Sequence, residues 1–188
     1  LTIENQKLLE LIEKLKKVLT SRPDDINGHL LLVENSARIG DYKTARQAQF
    51  RVLSLLGNNA NSKDFSTYVE LCVLAASGYV SYEAANALEK ALKIDPSNAQ
   101  AKYFRSRQLT QEANYALAYK IWANLFAKEG KDSKWVALLI DDILYGTNND
   151  YDRINPKKHF ILKTENQKLI LPVLKAWEER LLNIGGSI

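Results

Sequence analysis

The chain has 188 residues, 46% of them hydrophobic and 26% charged, with eight glycines, four prolines and a net charge of +4. That length can bury a real core, and that composition excludes a disordered segment. The 26 basic residues are interspersed with 22 acidic ones. No Lys/Arg run is therefore dense enough for a nucleic-acid footprint, although the excess weakly favours acidic partners.

No stretch reaches the roughly 20 apolar residues of a membrane span, and no signal peptide is visible. The chain begins at Leu1 and contains no methionine, so it reads as a piece, or a processed form, of a longer polypeptide. In 3–20, Leu8, Leu11, Ile12, Leu15 and Leu19 form an apolar stripe at helical spacing, and Pro23 follows the stop. Asp24 or Asp25 is placed to cap the next helix.

An internal repeat follows. The run Tyr82–Pro96 places Ala84, Leu88, Ala91 and Pro96 at the small, large, small and proline positions of the second helix of a tetratricopeptide unit. A shift of 34 residues carries Ala84 to Ala118, Leu88 to Trp122 and Ala91 to Leu125. Upstream, Gly40, Asp41 and Tyr42 followed by Ala45, Gln49 and Val52 repeat the pattern. There the spacing to Ala84 is 39 residues, the excess falling in a loop-like segment at 57–62. Three units are expected, at about 26–59, 65–98 and 99–132, each a pair of antiparallel helices that needs its neighbours to bury its apolar face.

Beyond them, Trp135, Leu138, Leu139, Ile143 and Leu144 form a stripe over 134–145. Residues 147–163 are polar and turn-rich. A last helix over about 166–184 carries Trp177 and Leu181 on one face, with Pro172 marking a kink or its true start. The fold expected is all-α: a tetratricopeptide-like solenoid of about three helix pairs with capping helices at both ends. Residues 1–146 form the repeat domain, and 147–188 form a loop plus a C-terminal helix of unassigned role.

No catalytic constellation emerges. The glycines make no phosphate-binding loop. His29 and His159 lack a His or Cys neighbour at metal-ligand spacing, so no metal site is expected, and His29 reads as a packing histidine. Cys72, the single cysteine, lies among apolar residues and reads as a structural thiol. Asp141 and Asp142 are adjacent and cannot face each other on a helix.

Binding, not catalysis, is the expectation. The first helices of stacked units line a groove, with positions 2, 5, 9, 12 and 13 of each unit turned toward it. The candidate groove residues are Asn27, Leu30, Glu34 and Arg38 from the first unit, Val69 and Val73 from the second, and Tyr103, Arg107 and Gln111 from the third. An apolar middle with charged flanks suits an amphipathic helix, and Arg38 and Arg107 would meet its acidic groups.

Several strings, in order, resemble the periplasmic domain of the cytochrome c maturation family called CcmI or CycH. They are Arg22-Pro-Asp-Asp-Ile-Asn-Gly28, Leu74-Ala-Ala-Ser-Gly-Tyr-Val-Ser-Tyr-Glu-Ala84, Asp95-Pro96, Ala101-Lys-Tyr-Phe104, Ile121-Trp122 and Ser133-Lys-Trp135. The resemblance covers about 10–145. His29 stands where the family usually has Trp, Tyr82 where it has Pro, and glycines are expected near Ser77 and at Ser106. The resemblance implies a chaperone that holds the C-terminal helix of an apocytochrome c for the haem-ligation machinery. It also implies a periplasmic location, with membrane attachment only through an N-terminal anchor outside this chain. Haem would be attached by partner proteins, so no cofactor is expected here. The alternatives are a general tetratricopeptide adaptor, a scaffold subunit of an envelope complex, and an accessory or regulatory domain of an enzyme whose catalysis lies in an N-terminal part outside this chain. Leu30 and Glu34 stand where an adaptor that clamps acidic tails resembles a Lys and Asn pair, which argues against that form of it.

Overall fold

The computed structural model describes residues 3–129, 133–135 and 138–139. The chain is all-α; among the described residues there is no strand. Among the described residues the α-helices α1 (Ile3–Ser21), α2 (Ile26–Arg38), α3 (Tyr42–Leu56), α4 (Ser62–Ala75), α5 (Tyr82–Ile94), α6 (Ala99–Gln111) and α7 (Tyr115–Lys128) follow in order. They fall into two compact units divided after Pro96. No helix among the described residues is long and apolar enough to cross a membrane.

In the first unit each helix packs on its sequence neighbour, α1 on α2, α2 on α3, α3 on α4 and α4 on α5. Short connections force this nearest-neighbour order. Ile12 and Leu19 of α1 meet Leu32 and Val33 of α2, Ala45 and Ala48 of α3, and Leu71 of α4 in one buried cluster. The small residues of the repeat lie in the core: Ala45, Ala84 and Ala91 are completely buried, as is Leu88 beside them. Polar ties cross between helices as well, Gln49 Nε2 donating to the Asp64 carbonyl at 3.0 Å and Ser62 Oγ to the Ala91 carbonyl at 2.9 Å. In the second unit α6 packs on α7, and Ala118, Trp122 and Leu125 of α7 are buried.

The helices start where the sequence offers caps. Asp25, rather than Asp24, accepts the Gly28 N–H at 2.9 Å. Asp41, Ser81 and Asn98 cap α3, α5 and α6 through the N–H groups of Thr44, Ala84 and Ala101. Asn61 and Asp64 form a reciprocal capping box that starts α4. Within the loop-like 57–62 segment there is one 3-10 turn, Gly57–Asn59.

The ends of α2, α4 and α6 share a single device. Gly40, Ser77 and Ala113 follow the C-caps of α2, α4 and α6 with φ of +79°, +50° and +60°. In each case the next amide reaches back to a carbonyl five residues earlier: Asp41 to Ser36 at 2.8 Å, Gly78 to Val73 at 2.8 Å and Asn114 to Leu109 at 2.7 Å. This is the Schellman geometry, which satisfies the last carbonyls of a helix and turns the chain sharply. All three hairpins are therefore closed alike, although glycine occupies the left-handed position only at Gly40.

Of the expected helix over 134–145, residues 134, 135, 138 and 139 are helical. The remainder, together with the 147–163 segment and the 166–184 helix, lies outside the described residues.

Candidate functional site

The first-unit candidates Asn27, Leu30, Glu34 and Arg38 recur at three- and four-residue intervals, so α2 places them on one face. All four are exposed. Leu30 keeps 41% of its surface open and its neighbour Leu31 49%. The opposite face of α2 holds Leu32, Val33 and Ser36 in the core. The amphipathic pattern of α2 is thus satisfied inward, and leucines are left over on the outside.

Arg38 closes one end of this face. Its guanidinium donates to Glu4 Oε1 of α1 at 2.6 Å, with both side chains more than half exposed. An exposed pair of this kind contributes little to stability, so Arg38 can exchange Glu4 for another carboxylate at small cost. At the other end, Gly28 lies where α1 and α2 come close. A Cβ there would sit 2.9 Å from Leu19 Cδ2 and 3.1 Å from Asp25 Oδ2. The Arg22–Gly28 string therefore combines a cap with a close approach. His29, next to it, is half-buried, and its Nε2 lies 3.0 Å from the Pro23 carbonyl, which braces the turn between α1 and α2.

Val69 and Val73 of α4 are placed differently. Both are buried, at 0% and 3% exposure, so they offer packing rather than open surface. In the second unit, Tyr103 and Arg107 are also buried, whereas Gln111 at the end of α6 is exposed. The Tyr103 ring lies 5.1 Å from Phe104 and 5.6 Å from Trp135, and Trp135 is itself 5.8 Å from Phe104. Lys134 sits 4.6 Å over the Trp135 ring. This aromatic trio accounts for the Tyr-Phe and Lys-Trp pairs in the sequence as packing partners.

A polar network that the sequence did not announce joins α3, α4 and α5. Glu83 accepts from Arg46 Nη1 at 3.1 Å and, through its other oxygen, from the Tyr68 hydroxyl. Cys72, one turn from Tyr68, is buried. Burial, reinforced by the Glu83 charge, pushes its thiol up to about 11. Burial and the Glu83 hydrogen bond hold the Tyr68 phenol well above its ordinary range. A thiol so raised is a poor nucleophile and a poor metal ligand. Among the described residues no group of three or more His, Cys, Asp or Glu side chains could hold a metal ion.

No protein-family model matches the sequence. Individual proteins do. The chain is 33% identical over 129 residues to a protein of Rhizobium meliloti named cytochrome c-type biogenesis protein CycH, covering 69% of this chain and 33% of that protein. It is 26% identical over 132 residues to a Bradyrhizobium diazoefficiens protein of the same name, covering 70% of this chain and 35% of that one. The chain spans about a third of the length of these curated relatives. Helix hairpins with buried alanines, each closed by the same turn, and two matches over most of the sequence give one answer: over its matched residues the chain belongs to the CycH family.

Proposed function

We propose that this chain is a peptide-binding module of cytochrome c-type biogenesis, and that it holds the C-terminal helix of an apocytochrome c for the haem-ligation machinery. The observation that carries the reading is the 33% identity to a CycH protein over 129 residues. The exposed face of α2 supports it. Leu30 and Leu31 supply apolar contact, while Glu34 and Arg38 supply charge of both signs. This is the arrangement that receives an amphipathic helix.

On this reading Asn27, Leu30, Glu34 and Arg38 of the first unit contact the peptide directly. Val69 and Val73 support the first unit from its interior; within the second unit Tyr103 and Arg107 are buried and Gln111 is exposed. The chain works in the periplasm as the soluble part of a membrane-anchored protein and carries out no chemistry of its own. Haem attachment belongs to partner proteins.

Calorimetric titration of a peptide spanning an apocytochrome c C-terminal helix tests this. Binding in the micromolar range is expected, about −8 kcal/mol at 1 μM. Leu30→Asp should weaken it at least about tenfold, the loss expected when a buried apolar anchor is removed. No heat at high micromolar peptide would overturn the proposal.

A further inference from the structure

A cleft of about 400 Å³ lies within the first unit, bounded by α3, α4 and α5. It shares no lining residue with the exposed face of α2. Its apolar wall is aromatic: Phe50 of α3 with Phe65 and Tyr68 of α4. Phe50 is 57% exposed, and its ring is tilted against Tyr68 at a centroid distance of 5.9 Å. Leu53 and Ala87 complete the floor, while Glu83, Asn86 and Lys90 of α5 form the polar side.

The two charged lining groups are not equivalent. Both oxygens of Glu83 are already engaged, one by Arg46 and the other by the Tyr68 hydroxyl. Its charge is answered inside the protein. Lys90 is exposed, its ammonium 5.6 Å over the Phe65 ring. A quadrupole satisfies a cation only weakly. The charge left to be met at this cleft is therefore positive, and it stands directly beside the aromatic wall.

We propose that this cleft is a second docking site, and that its occupant is an acidic segment of a partner protein. One large apolar side chain of the segment enters against Phe50, Phe65 and Tyr68, and a neighbouring carboxylate meets Lys90 Nζ. The volume lies at the small end of ligand pockets, about 300–1,000 Å³, which suits one side chain rather than a whole helix. Charge complementarity decides the occupant: a basic segment would face Lys90 with no free carboxylate of Glu83 to turn to. Glu83, held by Arg46 and Tyr68, keeps α5 in register with α3 and α4 and so fixes the width of the cleft. The inference is independent of the proposed cytochrome ligand, because the two sites have no residue in common.

The test is an amide chemical-shift titration of the full 188-residue chain with an acetylated and amidated probe peptide, Gly-Asp-Phe-Glu-Gly. Shifts should gather on the amides of Phe50, Phe65, Asn86 and Lys90, and Lys90→Glu should raise the dissociation constant by about fivefold, the scale of one exposed charge contact. Phe50→Ser, at an exposed position, should abolish the shifts while leaving the helical spectrum intact. The same peptide with lysine in place of both acids should bind more weakly than the acidic one. The proposal is overturned if the shifts map to the α2 face, or if Lys90→Glu leaves the affinity unchanged. It also fails if the cleft amides move with protein concentration alone, which would make the occupant a second copy of the chain.

Discussion

Raising the pH measures how tightly α4 and α5 close around Cys72. Its thiol is buried and held at about 11, against an ordinary value of 9.0. Below pH 9 the thiol keeps its proton in both the folded and unfolded states, so the packing contributes fully. Between 9 and 11 the unfolded chain releases the proton and the folded chain retains it. Stability therefore falls as the pH rises, because the unfolded state binds fewer protons. With each unit of difference worth about 1.4 kcal/mol, the loss reaches roughly 2 kcal/mol at pH 11. Tyr68, also raised, adds a loss of the same sign above pH 10. The assay is urea unfolding followed by the helical circular dichroism signal, at pH 8 to 11 under reducing conditions, for the parent and for Cys72→Ala. The substitution leaves a small cavity costing about 1–2 kcal/mol at pH 8, and that deficit should shrink or reverse by pH 11. A deficit that stays constant across the range would refute the reasoning, since it would mean that the folded state releases the thiol proton as readily as the unfolded chain.

Three further predictions follow from the helix ends. Ala113→Gly should raise the unfolding free energy by about 1 kcal/mol, since alanine at a φ of +60° is strained and glycine is not; thermal unfolding of the two proteins checks it. Tyr82→Pro should be tolerated and stabilise by about 0.5 kcal/mol, because Tyr82 is the first residue of α5 and Ser81 before it already has an extended backbone; a loss of helical signal would refute this. Asp41→Ala should cost about 1 kcal/mol at pH 7 through loss of the α3 cap. Burial pushes the Asp41 carboxyl up, but the Thr44 hydrogen bonds and the charges of Lys16 and Lys43 outweigh it and hold the group below 3.8. The stabilisation is therefore complete above pH 3.8 and lost as the pH falls through the lowered value, so the parent and variant should converge in acid denaturation.

Much of this fold is legible in the sequence because it rests on local chemistry. Asp25 and Ser81 cap helices that they precede, and the alternation of Ala84, Leu88 and Ala91 already states which face of α5 is buried. The proposed binding surface is less legible. Val69 and Val73 occupy the same repeat positions as Leu30 and Glu34, yet they are buried while the α2 pair is exposed. Periodicity tells which side of a helix a residue occupies, but not what lies over that side. Tyr103 makes the same point: the Trp135 that packs against it belongs to a later segment of the chain. The aromatic cleft escaped the sequence reading because Phe50, Phe65 and Lys90 come from three helices and share no spacing rule.

The hairpin turns link the repeat to the exposed face of α2. Each turn returns an amide to a carbonyl of the preceding helix, at Ser36, Val73 and Leu109, and all three of these residues are buried. The left-handed residue is glycine only after α2; Ser77 and Ala113 hold the same conformation after α4 and α6. The turn is therefore imposed by the packing of the two helices it joins, and the residue type adjusts only its cost. Where Gly40 removes that cost, α2 ends without strain, and Arg38, two residues earlier, stands exposed on its last turn with an exchangeable partner in Glu4. Arg38 is thus held by a turn that stores no strain, so exchanging Glu4 for another carboxylate, as the proposed peptide contact requires, need not disturb the helices beneath.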